Sequence, residues 1–172
     1  RPTTRRAQIS AFSLARRHAV NAHGVPMDVY RVRSDGHGAH DAVPSYVCNY
    51  TAGGVHSVDL GNAGDFCFTT NLNGCTFGVG PVVAGVRRVT HANTGGNAPL
   101  QRAQVWGSQG VPLNSPLVTL LEPSQYRRLA PGANLNATVF GIRTGVLWRF
   151  YFQLYTAVGG GNFQVHGVFP IL

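Results

Sequence analysis

Cys75 is the residue in this chain best placed for covalent chemistry, because it closes the turn Leu72-Asn73-Gly74-Cys75. A thiol becomes a useful nucleophile when it is ionised, partly exposed, and close to a base or a positive dipole. Gly74 can take a positive φ at no steric cost. The chain can then turn sharply and aim the Cys75 backbone N–H outward, where it serves as an oxyanion donor. The ordinary fate of a cysteine between strands is burial as a small apolar residue. Cys67, between Phe66 and Phe68, and Cys48, in an apolar stretch beside Tyr46, fit that fate better and stand outside the expected site.

The partner for such a thiol is histidine, whose pKa lets it take a proton from sulfur and return one to a leaving amine near neutral pH. Seven histidines are available. His91 is singled out because it follows Cys75 after one short antiparallel return, so a hairpin can set the two side by side. His18 and His23 fall on or at the end of an expected first helix, and His56 and His166 fall in expected strands. The stretch His37-Gly38-Ala39-His40-Asp41 faintly resembles a metal-ligand set, but a structural zinc needs further ligands that the sequence does not place. It is read as a solvated loop, with no metal or cofactor expected.

These side chains must be held by the elements around them. Thr3 or Thr4 can cap a helix running to about His23, with Phe12, Ala15 and Ala19 on one face and Gly24 and Pro26 ending it. Strand patterns then follow at Met27 to Val32, Tyr46 to Asn49, Val55 to Leu60 and Asp65 to Thr69. In the last of these, Phe66 and Phe68 alternate with Cys67 and Thr69. Beyond the Cys75 turn, Thr76 to Val83 and Val86 to Thr90 read as the hairpin that ends at His91. Gln101 to Trp106 and Leu117 to Leu120 read as short strands, and Pro123 to Leu129 as a short helix. The strongest strand signal is Val146 to Tyr155, followed by a glycine turn into Phe163 to Phe169. The expected fold class is α+β, a strand-rich β-sandwich of mixed and antiparallel sheets with flanking helices. Residues 1–172 are expected to form a single catalytic domain.

The turn also carries a resemblance. Leu72-Asn73-Gly74-Cys75 resembles the Leu-x-Gly-Cys motif of the glutamine deamidase toxins, the group that includes cytotoxic necrotizing factor, dermonecrotic toxin and Burkholderia lethal factor, with the chemotaxis receptor deamidase as a structural relative. In these families a histidine follows the motif cysteine by a short stretch, a place that His91 fills. Burkholderia lethal factor and the chemotaxis enzyme also use a threonine six residues before the cysteine, which maps onto Thr69, with Thr70 and Asn71 as neighbouring alternatives. The resemblance spans about residues 65 to 93, and Asn73 stands where many of the toxins have serine. It implies that Cys75 attacks a glutamine carboxamide on a host protein, that His91 acts as general acid and base, and that Thr69 orients His91 by a hydrogen bond. Small GTPases and translation factors are among the substrate classes implied.

Composition bounds the rest. The net charge of +8 comes from arginine alone, since the chain has no lysine. A GC-rich genome accounts for that bias; a toxin domain that escapes ubiquitin ligases in a eukaryotic cytosol is the sharper explanation. The arginines are dispersed as pairs, such as Arg87/Arg88 and Arg127/Arg128, without zinc-finger spacing or aromatic interleaving, so no nucleic-acid partner is expected. No apolar run reaches the roughly 20 residues of a membrane-spanning helix. Three cysteines leave at least one free thiol, which favours action in a reducing cytosol. The chain opens at Arg1 and its only methionine is Met27, so an excised domain or a mature product is expected, from a bacterial protein that is secreted or translocated and acts in the host cytosol, with a larger toxin as the parent of an excised domain. A cysteine peptidase, an acyltransferase or transglutaminase using the same pair, and an arginine-rich binding module are the competing readings. Glu122 is the only glutamate, which argues against ADP-ribosylating and glycosidase chemistry.

Overall fold

The computed structural model describes residues 9–21, 24–34, 43–130, 134–160 and 162–171; for most of 9–34 it describes the backbone alone. The described strands are β1 (Ile9–Asn21), β2 (Pro26–Ser34), β3 (Val43–Cys48), β4 (Val55–Leu60), β5 (Phe66–Thr69), β6 (Thr76–Val83), β7 (Val86–Ala92), β8 (Thr119–Leu121), β9 (Leu135–Thr144), β10 (Leu147–Gly159) and β11 (Asn162–Pro170). Two helices accompany them: α1 (Ala98–Gln109), between β7 and β8, and α2 (Pro123–Arg127), between β8 and β9.

The strands form two sheets. One has seven strands in the order β11-β10-β9-β5-β3-β1-β2, and an additional parallel pairing of Ala19–Asn21 with Phe163–Val165 joins β1 back to β11. Six of its strands therefore form a closed cycle, with β2 attached outside as the second arm of the β1–β2 hairpin. The other sheet has four strands in the order β4-β7-β6-β8.

Alternation explains which faces meet. Along β10, Trp148, Phe150, Phe152 and Leu154 are buried while their neighbours are more exposed, and along β9 the same holds for Leu135, Ala137, Val139 and Gly141. Phe77 of β6 meets Phe150 across the sheets, with ring centroids 6.3 Å apart. Gly141 is required at its position, because a Cβ there would lie 2.7 Å from the Phe150 ring. The resulting apolar core also takes in Tyr46, Val58, Leu60, Leu72, Val79 and Val89.

The opposite face of the four-stranded sheet is covered by α1. Thr90 of β7 bonds Ser57 (3.0 Å), Ser108 (2.7 Å) and Gln109 (2.9 Å) there, so the helix fixes the strand that ends at His91. Gly78 faces Val105 so closely that any Cβ would overlap it.

Three expectations change. Residues 9–21 form a strand where a helix was expected; the expected capping residues Thr3 and Thr4 lie outside the described residues, as do His23, His37, His40 and Asp41. The helical spacing of Phe12, Ala15 and Ala19 competes with a spacing of two in Phe12, Leu14 and Val20, and pairing with β2, β3 and β11 decides the outcome. Gln101 to Trp106 is helical, inside α1, where Asn97 accepts the Leu100 N–H (3.1 Å), proline occupies the first turn, and Gly110 takes the left-handed conformation (φ 70) at the end. Strand β9 carries no expectation at all, yet it lies between β5 and β10 inside the larger sheet. The other strands and α2 fall where their patterns place them, within a few residues. Among the described residues no helix is long and apolar enough to cross a membrane.

Candidate active site

Cys75 sits one residue before β6, at the end of the four-stranded sheet opposite the β6–β7 turn. Gly74 has φ 87, the left-handed conformation expected of the turn. Leu72 bonds in both directions to Ala137 of β9 (Leu72 N–H to Ala137 C=O, 2.7 Å; Ala137 N–H to Leu72 C=O, 3.1 Å), which ties the start of the turn to the larger sheet.

Two fully buried side chains hold the rest of it. The Tyr126 hydroxyl, from α2, accepts the Gly74 N–H at 2.9 Å and donates to the Cys75 carbonyl at 3.4 Å. Gln101, from α1, donates to the Gly74 carbonyl at 3.0 Å and accepts the Thr76 hydroxyl at 2.7 Å. The peptide units flanking Cys75 are thereby pinned from both helices. Nothing in the local sequence announces either residue, although Tyr126 falls on an expected helix.

Register brings Cys75 and His91 to one face. Phe77 is directly opposite His91 in the β6–β7 ladder, and Cys75 lies two residues before Phe77 in the same buried cluster. Cys75 and His91 are thus diagonal cross-strand neighbours, a relation with a spacing of about 7–8 Å that long side chains can bridge. No bond joins them in this structure, since neither ring nitrogen of His91 has a hydrogen-bond partner. His56 of β4 pairs across from His91 on the other side, and the half-exposed Tyr50 ring lies 6.2 Å from the His91 ring at a tilt of 43°.

Burial sets the proton inventory. His91 is fully buried, and loss of hydration lowers its pKa from 6.5 to about 4, with the Cys48 backbone opposing the shift and His56 adding to it. Burial raises the pKa of Cys75, with the Asn73 backbone opposing. Both shifts favour the neutral forms, a thiol at Cys75 and an imidazole at His91. Neutral groups of this kind are suited to general base chemistry, in which an imidazole takes a thiol proton as the sulfur attacks. A standing thiolate–imidazolium pair does not fit this environment.

Thr69 is not bonded to His91. Its hydroxyl accepts the Val139 N–H at 3.0 Å and donates to the Val139 carbonyl at 3.4 Å, so the orienting bond implied by the resemblance is not formed. Thr69 pairs with Cys48 on β3, whose backbone is the one that bears on the His91 ring. The Thr70 hydroxyl is buried without a partner, and Asn71 bonds Asn136 at 2.6 Å. Cys48 and Cys67 are core residues, and burial pushes the Cys67 thiol up to about 12. No set of three or more His, Cys, Asp or Glu able to hold a metal occurs among the described residues. No protein-family model matches the chain, and no curated protein matches it.

Proposed function

We propose that the protein is a cysteine-dependent protein-glutamine deamidase of the Leu-x-Gly-Cys toxin type, with Cys75 as nucleophile and His91 as general base and acid. The observation that carries this reading is the pinned turn: a left-handed Gly74 presents Cys75 on the same sheet face as a buried, unpartnered histidine one strand away. A structural cysteine does not call for two buried polar side chains that bond the peptide units on either side of it.

In the proposed reaction His91 removes the thiol proton as sulfur bonds to the carboxamide carbon, and the developing oxyanion is met by the Cys75 N–H. The protonated ring then gives that proton to the departing ammonia, leaving a thioester. Water, deprotonated by His91, attacks the thioester; the carbon–sulfur bond breaks, the thiol recovers its proton, and glutamate remains. Closing the diagonal gap between Cys75 and His91 belongs to substrate binding, since hydrogen bonds of this kind are often loose in the free enzyme. Thr69 supports the pair indirectly, since it bonds Val139 of β9 on one side and its strand pairs with Cys48 of β3 on the other.

The test is to express the wild type and Cys75→Ser in eukaryotic cells and search by mass spectrometry for glutamine-to-glutamate changes, each adding roughly one dalton, in the wild type only. Fragmented proteins would point to a peptidase, and amine adducts to transglutamination. One observation favours the noncatalytic binding reading: Cys75 is only 5 % exposed and its pKa is raised. Iodoacetamide decides between them. Alkylation of Cys75 in the wild type at a rate that falls in His91→Gln supports the pair, and an equal rate in both removes it.

A further inference from the structure

The two sheets part on the side where β8 forms the edge of the smaller one, and a cleft of about 350 Å³ opens there. Its floor includes the stacked rings of Phe152 and Phe169, 5.2 Å between centroids, and its walls include Leu120, Leu129, Ile171 and Arg128. β8 bonds β6 along one edge only, and no hydrogen bond to its other edge is made by any described residue. Backbone N–H and C=O groups along such an edge are a template for an added strand.

The rim is basic. Arg128 lines the cleft and Arg127 stands next to it on α2; both are exposed, and among the described residues neither is paired with a carboxylate. The Arg127 guanidinium lies beside Gly74, 3.4 Å from where a Cβ would stand. Glu122, the acid at the head of α2, is turned to Arg102 at 3.4 Å. The cleft and the nucleophile share one element: Gln125 and Arg128 face the cleft, while Tyr126 between them holds Gly74 and Cys75 from within.

We propose that this cleft docks an extended, acidic segment of the substrate protein, which adds to the free edge of β8 and seats one apolar side chain over Phe152 and Phe169. This deepens the deamidase reading and rests on it for the word substrate; the docking itself does not depend on the chemistry. Edge pairing supplies affinity for any backbone, the aromatic floor selects an apolar side chain, and the exposed Arg128 selects a carboxylate. Cys75 does not line the cleft, so the docked segment is distinct from the glutamine that reacts. It raises the local concentration of that glutamine at the turn.

The probe is a fluorescein-labelled five-residue peptide alternating glutamate and leucine, titrated with the full chain and read by anisotropy. Saturable binding is expected, weakened about tenfold by Arg128→Glu, which replaces a charge-assisted bond by repulsion. Cys75→Ser is expected to bind as the wild type does. Binding should be lost when the peptide leucines are N-methylated, when serine replaces leucine, or when lysine replaces glutamate; these changes leave the protein untouched. No binding, or equal binding of the N-methylated peptide, overturns the proposal. A wild-type dimer in sedimentation that Arg128→Glu converts to monomer also overturns it, by showing that a second copy occupies the edge. Saturable binding alongside the absence of any deamidated protein in cells removes the deamidase reading and leaves the docking site standing.

Discussion

Acidification should destabilise this protein through His91. The ring is fully buried, neither nitrogen has a hydrogen-bond partner, and its pKa falls from 6.5 to about 4. In the unfolded chain the same histidine titrates near 6.5. Between the two values the unfolded state binds more protons than the folded one, so stability rises with pH across that window. Full stability is therefore present above about pH 6.5, is lost as pH falls, and reaches a constant deficit below about pH 4. A shift of this size corresponds to about 3 kcal/mol in total, of which about 2 kcal/mol has gone by pH 5. In a domain of this length that is a melting-temperature drop of about 4–8 °C at pH 5. The assay is urea unfolding of the wild type and His91→Gln at pH 7.5 and pH 5. The wild type should lose about 2 kcal/mol more than the variant across that interval. Parallel pH dependence in the two proteins would refute the claim that a buried, uncharged His91 is the base.

Three further outcomes follow from the contacts around it. Tyr126→Phe leaves the buried Gly74 N–H without its acceptor and should cost about 1–3 kcal/mol in urea unfolding while slowing alkylation of Cys75, whereas unchanged stability and reactivity would dissociate Tyr126 from the turn. Thr69→Val removes the acceptor of the Val139 N–H and should cost about 1–3 kcal/mol; deamidase activity falling far more than stability would instead restore the direct orienting role. Gly78→Ala drives a methyl group into Val105 and should cost about 1–3 kcal/mol by lifting α1, checked by thermal unfolding.

Much of the scaffold was legible because its signals are local. β4 and β6 match their expected bounds, β10 is carried by the run from Trp148 to Leu154, and the hairpin that ends at His91 follows from the two strands flanking Ala84 and Gly85. α1 was misread as a strand over Gln101 to Trp106, although Asn97, Pro99 and Gly110 are ordinary helix punctuation and Gln101, Val105 and Ser108 repeat at helical spacing. Val105 and Trp106 drew the strand reading by their β propensity. β1 could not be settled locally, since its helical and extended patterns compete and its partners lie as far away as Phe163. The site divides the same way. The Gly74 turn and the Cys75–His91 relation follow from short-range register, whereas the Tyr126 and Gln101 contacts join residues 52 and 27 positions apart. Thr69 was placed by resemblance, and its bonds to Val139 depend on β9, which the sequence reading left without an assignment.

The parallel join between Ala19–Asn21 and Phe163–Val165 also sets an order of assembly. Local hairpins such as β6–β7 and β9–β10 need few residues and can form early, while loop-closure entropy delays pairings between distant segments. During synthesis the cycle of strands stays open until Val165 has emerged from the ribosome, so the Ala19–Asn21 edge of β1 waits for its last partner long after β2 and β3 are available to pair with the rest of the strand. A nascent chain stalled within β10 should remain protease-sensitive at that edge while the four-stranded sheet is already protected.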